Sequence, residues 1–254
     1  MSRGLVAYDR LIDVVELEAE RLAAAAEGQR PERQVPACPG LNLGETARHV
    51  GSTYRMVSTW LREGSQPLVW QQDPEEGQEL PEYVRGGVRD LVRALRAREP
   101  DDPCETWWPA ERNHNFWARR LAHESTVHRM DVQGAAGLPV DPVDDDVAED
   151  GIDEILSLWL GHRLDLMGVR GTRLGSVAIG TPGRTWIAAT GPEPAAAHLL
   201  LPDEGPTADA EVRGTPMQLY RWLWGRIPDR DLRPTTGDHD AIAQLWALLR
   251  LATK

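Results

Sequence analysis

The chain has 254 residues, 40 acids against 28 bases and a formal net charge of -12. Its length holds one large domain or two smaller ones, and its 41% hydrophobic and 27% charged shares fit a folded protein rather than a disordered one. The acidic balance disfavours phosphate backbones and anionic membranes, no run approaches the roughly 18 apolar residues of a membrane span, and no signal-peptide apolar region follows Met1, so we expect a cytoplasmic protein without nucleic-acid or membrane partners.

Leu5, Tyr8, Ile12, Val15, Ala19 and Leu22 recur at helical spacing, closed by Gly28 and Pro31. A second helix is expected from Asn42, an N-cap with Glu45 three residues later, and its stripe is Thr46, His49, Thr53, Met56 and Trp60. On that stripe His49 by itself reads as a core histidine satisfied by a hydrogen bond. A polar loop from Gly64 to Gln78 leads to a third helical run, Leu80, Val84, Val88, Leu91 and Leu95.

The fourth helix carries the chemistry. Trp117, Leu121, Glu124, His128, Asp131 and Ala135 alternate in steps of four and three, which keeps them on one stripe, and Gly134, Gly137 and Pro139 close the pattern. Half of that core-facing stripe is ionisable, and burying such groups is unfavourable unless each is paired, hydrogen-bonded or bound to a metal. Glu124 and His128, one turn apart, project about 40° from each other and can share one ion. His123 and His128 are five apart, about 140° around the axis, so His123 stands outside the pair and the H-E-x-x-H metalloprotease spacing is absent. His114 reads as a surface residue in the capping region, the alternative being that it faces the mouth of the site.

A third ligand has to come from another helix, and His49 is the best candidate. His49, Glu124 and His128 form a His₂-carboxylate set with open positions, which suits catalytic zinc and equally matches ferrous iron. Asp131 either holds a ligand imidazole in its metal-binding tautomer or serves as a helix-internal partner of Arg129 or Arg120. Cys38 and Cys104 are too few and too far apart for a zinc ribbon or a redox pair and read as buried free thiols, with a single disulfide as the alternative.

Four helices suggest a bundle, and an amphipathic run from Val147 to Leu166, which includes a packed His162, bridges from it to the second domain. After Gly168 the pattern changes. Leu174 to Ile179, Arg184 to Thr190 and Ala208 to Arg213 read as strands, and Met217 to Trp224 and Ala241 to Leu251 as helices. The expected fold is mainly α: a metal-binding helical bundle over residues 1–167, then a small α+β domain with a mostly antiparallel sheet over 168–254.

The stretch WARRLAHESTVHRMDVQGAAG, Trp117 to Gly137, resembles the metal-binding helix of the mycothiol-dependent maleylpyruvate isomerase family of actinobacteria, a branch of the DinB-like four-helix bundles. GETARHVGSTYRMVSTW around His49 resembles the family's other ligand helix, and GTPMQLYRWLWGR, Gly214 to Arg226, resembles its C-terminal domain. The resemblance implies zinc ligands at His49, Glu124 and His128, with iron or nickel as alternative ions. It implies mycothiol as cofactor, a small electrophile as substrate, and a metal-bound thiolate as nucleophile in isomerisation or S-transfer. Arg226 is then a candidate partner for a carboxylate of substrate or thiol, or else a surface arginine at a helix end. A metal-stabilised binding or regulatory protein without turnover is the reading from a different class.

Overall fold

The computed structural model describes residues 4–201, 203–228, 231–232 and 235–253. Its contacts divide the chain into two units, Met1–Asp141 and Pro142–Lys254.

The first unit contains four helices: α1 (Tyr8–Ala26), α2 (Leu43–Glu63), α3 (Leu80–Arg96) and α4 (His114–Ala136). α1 packs on α3 and α4, and α2 packs on the same two, so the helices close a four-membered ring in the order α1, α3, α2, α4. Leu11, Ile12, Val15 and Leu22 of α1, Val50, Tyr54 and Val57 of α2, Val84, Leu91 and Leu95 of α3, and Trp117 and Leu121 of α4 fill its centre. Truncating any of the leucines here to alanine costs roughly 2–5 kcal/mol, because transfer and cavity costs add. The Asn42 cap closes a full capping box: its side chain accepts from Glu45 N at 2.8 Å, and Asn42 N donates to Glu45 Oε2 at 3.0 Å. Gly64 and Gly137, at φ of 74° and 73°, end α2 and α4 in the left-handed conformation that glycine adopts without strain.

α2 and α3 approach closely through two glycines. A Cβ on Gly51 would lie 2.5 Å from the Tyr83 ring, and one on Gly87 would lie 3.0 Å from the Gly51 carbonyl. The space at Gly51 seats Tyr83, whose hydroxyl donates to Gln72 O at 3.1 Å and so fastens the α2–α3 loop to the bundle.

The second unit begins with α5 (Asp145–Glu154), which runs on into a π-helical segment, Ile155–Arg163, and a last turn, α6 (Leu164–Leu166). The strands β1 (Gly175–Gly180), β2 (Thr185–Thr190), β3 (Ala196–Leu199), β4 (Ala210–Arg213) and β5 (Thr235–Gly237) form one sheet in the order β3-β2-β1-β4-β5. Among the described residues only β1 and β4 pair in parallel. α7 (Pro216–Leu223) packs on α5, and α8 (His239–Ala252) packs on β1, β2, β4 and the π segment.

Helical periodicity places residues 142–167 with the bundle, whereas their contacts place them with the sheet: α5 meets α7, and the π segment meets β3 and α8. Periodicity reports an apolar face, not which neighbour covers it. No described helix is long and apolar enough to cross a membrane.

Candidate metal centre

Because α2 packs on α4, the His49 stripe of one helix faces the Glu124 stripe of the other. His49 Nε2 lies 2.9 Å from Glu124 Oε1, and His128 Nε2 lies 3.3 Å from the same oxygen. One donor atom from each of the three side chains lies within 4.8 Å of the others, and no other such cluster of three occurs among the described residues. The Glu124 and His128 side chains are 15% exposed and that of His49 is 35% exposed, so the set is enclosed on the α4 side and open beside His49.

The surrounding contacts orient each donor. His128 Nδ1 sits 3.0 Å from Asp131 Oδ2; a carboxylate accepts, so Nδ1 carries the proton and the neutral ring presents its Nε2 lone pair to the cluster. Arg120 Nη2 donates to Glu124 Oε2 at 3.1 Å, leaving Oε1 to face both imidazoles. Trp70 meets the His49 ring edge-on, with centroids 5.6 Å apart.

Electrostatics follow from this crowding. Burial is the largest single influence on Glu124 and opposes its charge. The His128 charge, hydrogen bonds from His128 and His49, and Arg120 together outweigh it and hold the carboxyl well below its usual range. For His128 burial again comes first and opposes charge, yet the Glu124 carboxylate and the Asp131 hydrogen bond prevail and raise it to about 9. Without a cation, the cluster therefore keeps a proton between His128 and Glu124. Three convergent electron-pair donors, two imidazoles and one carboxylate, fit a borderline divalent ion such as zinc.

The other expected residues fall in varied places. His123 is on α4 but wholly buried and outside the cluster. His114, expected at the surface, is buried instead: the turn before α4 folds over it, and its Nδ1 donates to Asp102 O at 3.0 Å. Arg129, weighed as a partner of Asp131, donates to Glu18 Oε2 at 2.6 Å. Arg226 belongs to the second unit, where its Nη1 donates to Trp224 O at 2.6 Å. Cys38 and Cys104 are free and half-buried, and burial, the main cause, pushes the Cys104 thiol up to about 11. Trp70 was not anticipated from sequence: it lies in a loop without periodicity, 21 positions after His49.

Comparison with known proteins follows the same two-part division. Residues 15–133 match the family model of the mycothiol maleylpyruvate isomerase N-terminal domain, and residues 146–244 match that of the MDMPI C-terminal domain. Among solved structures, a crystal structure of the mycothiol-dependent maleylpyruvate isomerase superposes with a TM-score of 0.59 at 12% identity, covering 88% of this chain and 91% of that one. A crystal structure of a histidine-to-alanine mutant of that isomerase gives 0.60 at 12% identity, covering 92% and 95%. At such identity the likeness concerns the fold alone. No curated protein matches the sequence.

Proposed function

The chain belongs to the mycothiol maleylpyruvate isomerase family, whose two domain models between them match most of its length, and on that premise we propose a metal- and thiol-dependent isomerase or S-transferase acting on a small electrophile. The observation that carries this reading is the convergence of His49 Nε2, Glu124 Oε1 and His128 Nε2 on one point.

In this reading those three atoms hold one divalent ion, zinc by the character of the donors, with iron or nickel as alternatives. When bound, such an ion offers a position where a thiol coordinates and loses its proton. Mycothiol is the thiol the family name indicates. Asp131 keeps the His128 proton on Nδ1, and Arg120 occupies Glu124 Oε2, so both ligands present fixed lone pairs. Sulfur adding to a cis double bond, rotation about the resulting single bond and expulsion of sulfur yields the trans isomer and regenerates the thiol; displacement of a leaving group yields an S-conjugate instead.

The test is elemental analysis of protein purified without chelator, followed by assay with mycothiol and maleylpyruvate. About one divalent ion per chain and thiol-dependent disappearance of substrate is the expected result. One ion per chain, with no consumption or isomerisation of any offered electrophile, would make the protein a metal-stabilised binding module.

A further inference from the structure

The loop joining α2 to α3 arches over the most exposed of the three donors. At one foot Gln66 Nε2 donates to Met56 Sδ at 3.6 Å. At the other, Ser52 Oγ donates to Gln72 O at 3.0 Å, Gln72 N donates back to Ser52 Oγ at 3.1 Å, and Arg48 pairs with Asp73 at 3.1 Å. Between the feet Trp70 is half-buried against His49, while its neighbours Leu68 and Val69 project into solvent. The open side of the donor set is thus bordered by an indole with two aliphatic residues beside it.

The charge of the arch is one-sided. From Ser65 to Glu79 it contains Asp73, Glu75, Glu76 and Glu79 and no arginine or lysine. A small dicarboxylate approaching here meets four acids against Arg48, which pairs with Asp73, a balance unfavourable to it at short range. A ligand with an uncharged surface rich in C–H bonds meets an aromatic face and two exposed aliphatic side chains, and gains by covering them.

We propose that Trp70 is a specificity-determining residue that, with Leu68 and Val69, receives the uncharged body of the thiol rather than the electrophile. This rests on the thiol-dependent reading above. The thiol spans the arch, its sulfur directed inward past His49 and its body held against the indole; the electrophile enters from another side, away from the acidic loop.

Titration calorimetry of the zinc-loaded full chain with mycothiol and with N-acetylcysteine, which lacks that body, reads the assignment. Trp70→Ala should bind mycothiol about tenfold more weakly, the scale of one lost aromatic contact, with N-acetylcysteine affinity and zinc content unchanged. Trp70→Phe, which keeps an aromatic face, should recover most of the loss. In steady-state assays Trp70→Ala should raise KM for mycothiol by a similar factor and leave KM for the electrophile within about twofold. Equal mycothiol affinity in Trp70→Ala and wild type, equal losses for both thiols, or a KM change confined to the electrophile would each overturn the assignment while leaving thiol dependence standing. Failure of the wild type to bind any thiol would overturn both.

Discussion

α4 buries two charged clusters little more than one turn apart, and they are built on opposite principles. Around Arg129 the charges cancel: the guanidinium donates to Glu18 Oε2 at 2.6 Å, to Gln133 Oε1 at 3.0 Å and to Asp141 O at 2.8 Å, while Gln133 Nε2 donates to Asp141 Oδ2 at 2.8 Å. Donors meet acceptors there, and the network ties α1 and the end of the first unit to α4. Around Glu124 several groups converge on one carboxylate: Arg120 donates to Oε2, while the Nε2 atoms of His49 and His128 both lie against Oε1. Three donor atoms of ligand type meet there within 4.8 Å of one another, close enough to share one ion. Burial of charge thus does not by itself mark a functional site; the convergence of three ligand-type donor atoms separates the candidate centre from the structural cluster.

The contrast breaks most sharply under alanine substitution. His49→Ala, Glu124→Ala and His128→Ala should each lower metal affinity by more than about a hundredfold, since each removes one of only three protein ligands. His123→Ala should retain one equivalent of metal. Elemental analysis of the four purified variants checks this, and a metal-free His123→Ala protein would redraw the ligand set.

On the structural side, Arg129→Ala removes the buried one of the two arginines paired with the Glu18 carboxylate, which is 5% exposed, and leaves it Arg21 at 2.8 Å. Removing one member of a buried pair costs about 3–5 kcal/mol when the other is left uncompensated; with Arg21 still on Glu18 the loss should be below that range, to be read from urea unfolding, while metal per folded chain should stay at one. Both clusters lie within Met1–Asp141, so a chain ended after Asp141 should keep both, and one ended at residue 167 should add only helix deprived of its sheet-side cover. Soluble, metal-loaded 1–141 is the expected product.

How far the sequence exposed these two clusters differs for a physical reason. The six-residue stripe of α4 and the stripe of α2 were visible because helical spacing alone puts Glu124 and His128 together, and the shortage of other core histidines pointed to His49. The Glu18–Arg129 pair was not visible: it joins side chains 111 positions apart, and nothing local to Glu18 distinguishes it from the exposed acids of α1. In the second unit β1, β2 and β4 were legible from their valines, isoleucines and threonines. β3, Ala-Ala-His-Leu, and β5, Thr-Thr-Gly, were not, since each is a short edge strand whose order comes from pairing with β2 or β4 rather than from its own residues.

The pH dependence of metal binding sharpens the contrast further. His128 is raised from an ordinary value of 6.5 to about 9 in the metal-free cluster. The charged ring stabilises the metal-free fold fully below the ordinary value, and that contribution is lost as pH rises through the raised one. Metal must expel the same proton, so apparent affinity should rise about tenfold per pH unit up to about 9 and level above it. Proton release into weakly buffered solution on zinc addition measures this; pH-independent uptake between 6 and about 8 would mean that His128 does not carry the proton in the apo protein.

The smallest effect expected is at Asp131, where the two principles meet: it is a buried acid that touches a candidate ligand and is not itself one. Its carboxylate fixes the His128 tautomer through Nδ1. Asp131→Asn can still accept that hydrogen bond through its amide oxygen, so the ring stays in place, but the negative charge that makes the imidazole a better donor is gone. Loss of such a supporting partner costs about 10–100-fold in metal affinity, and the isosteric amide should sit near the lower end, with Asp131→Ala near the upper. Because the Asp131 hydrogen bond and charge are among the influences that raise His128, the pH at which affinity levels should also move down in Asp131→Asn. Zinc competition assays across pH, with imidazole nitrogen shifts to follow the tautomer, separate these outcomes. An unchanged plateau pH and unchanged affinity in Asp131→Asn would mean that Asp131 only packs against the ring, and would move it from the candidate centre to the structural side of α4.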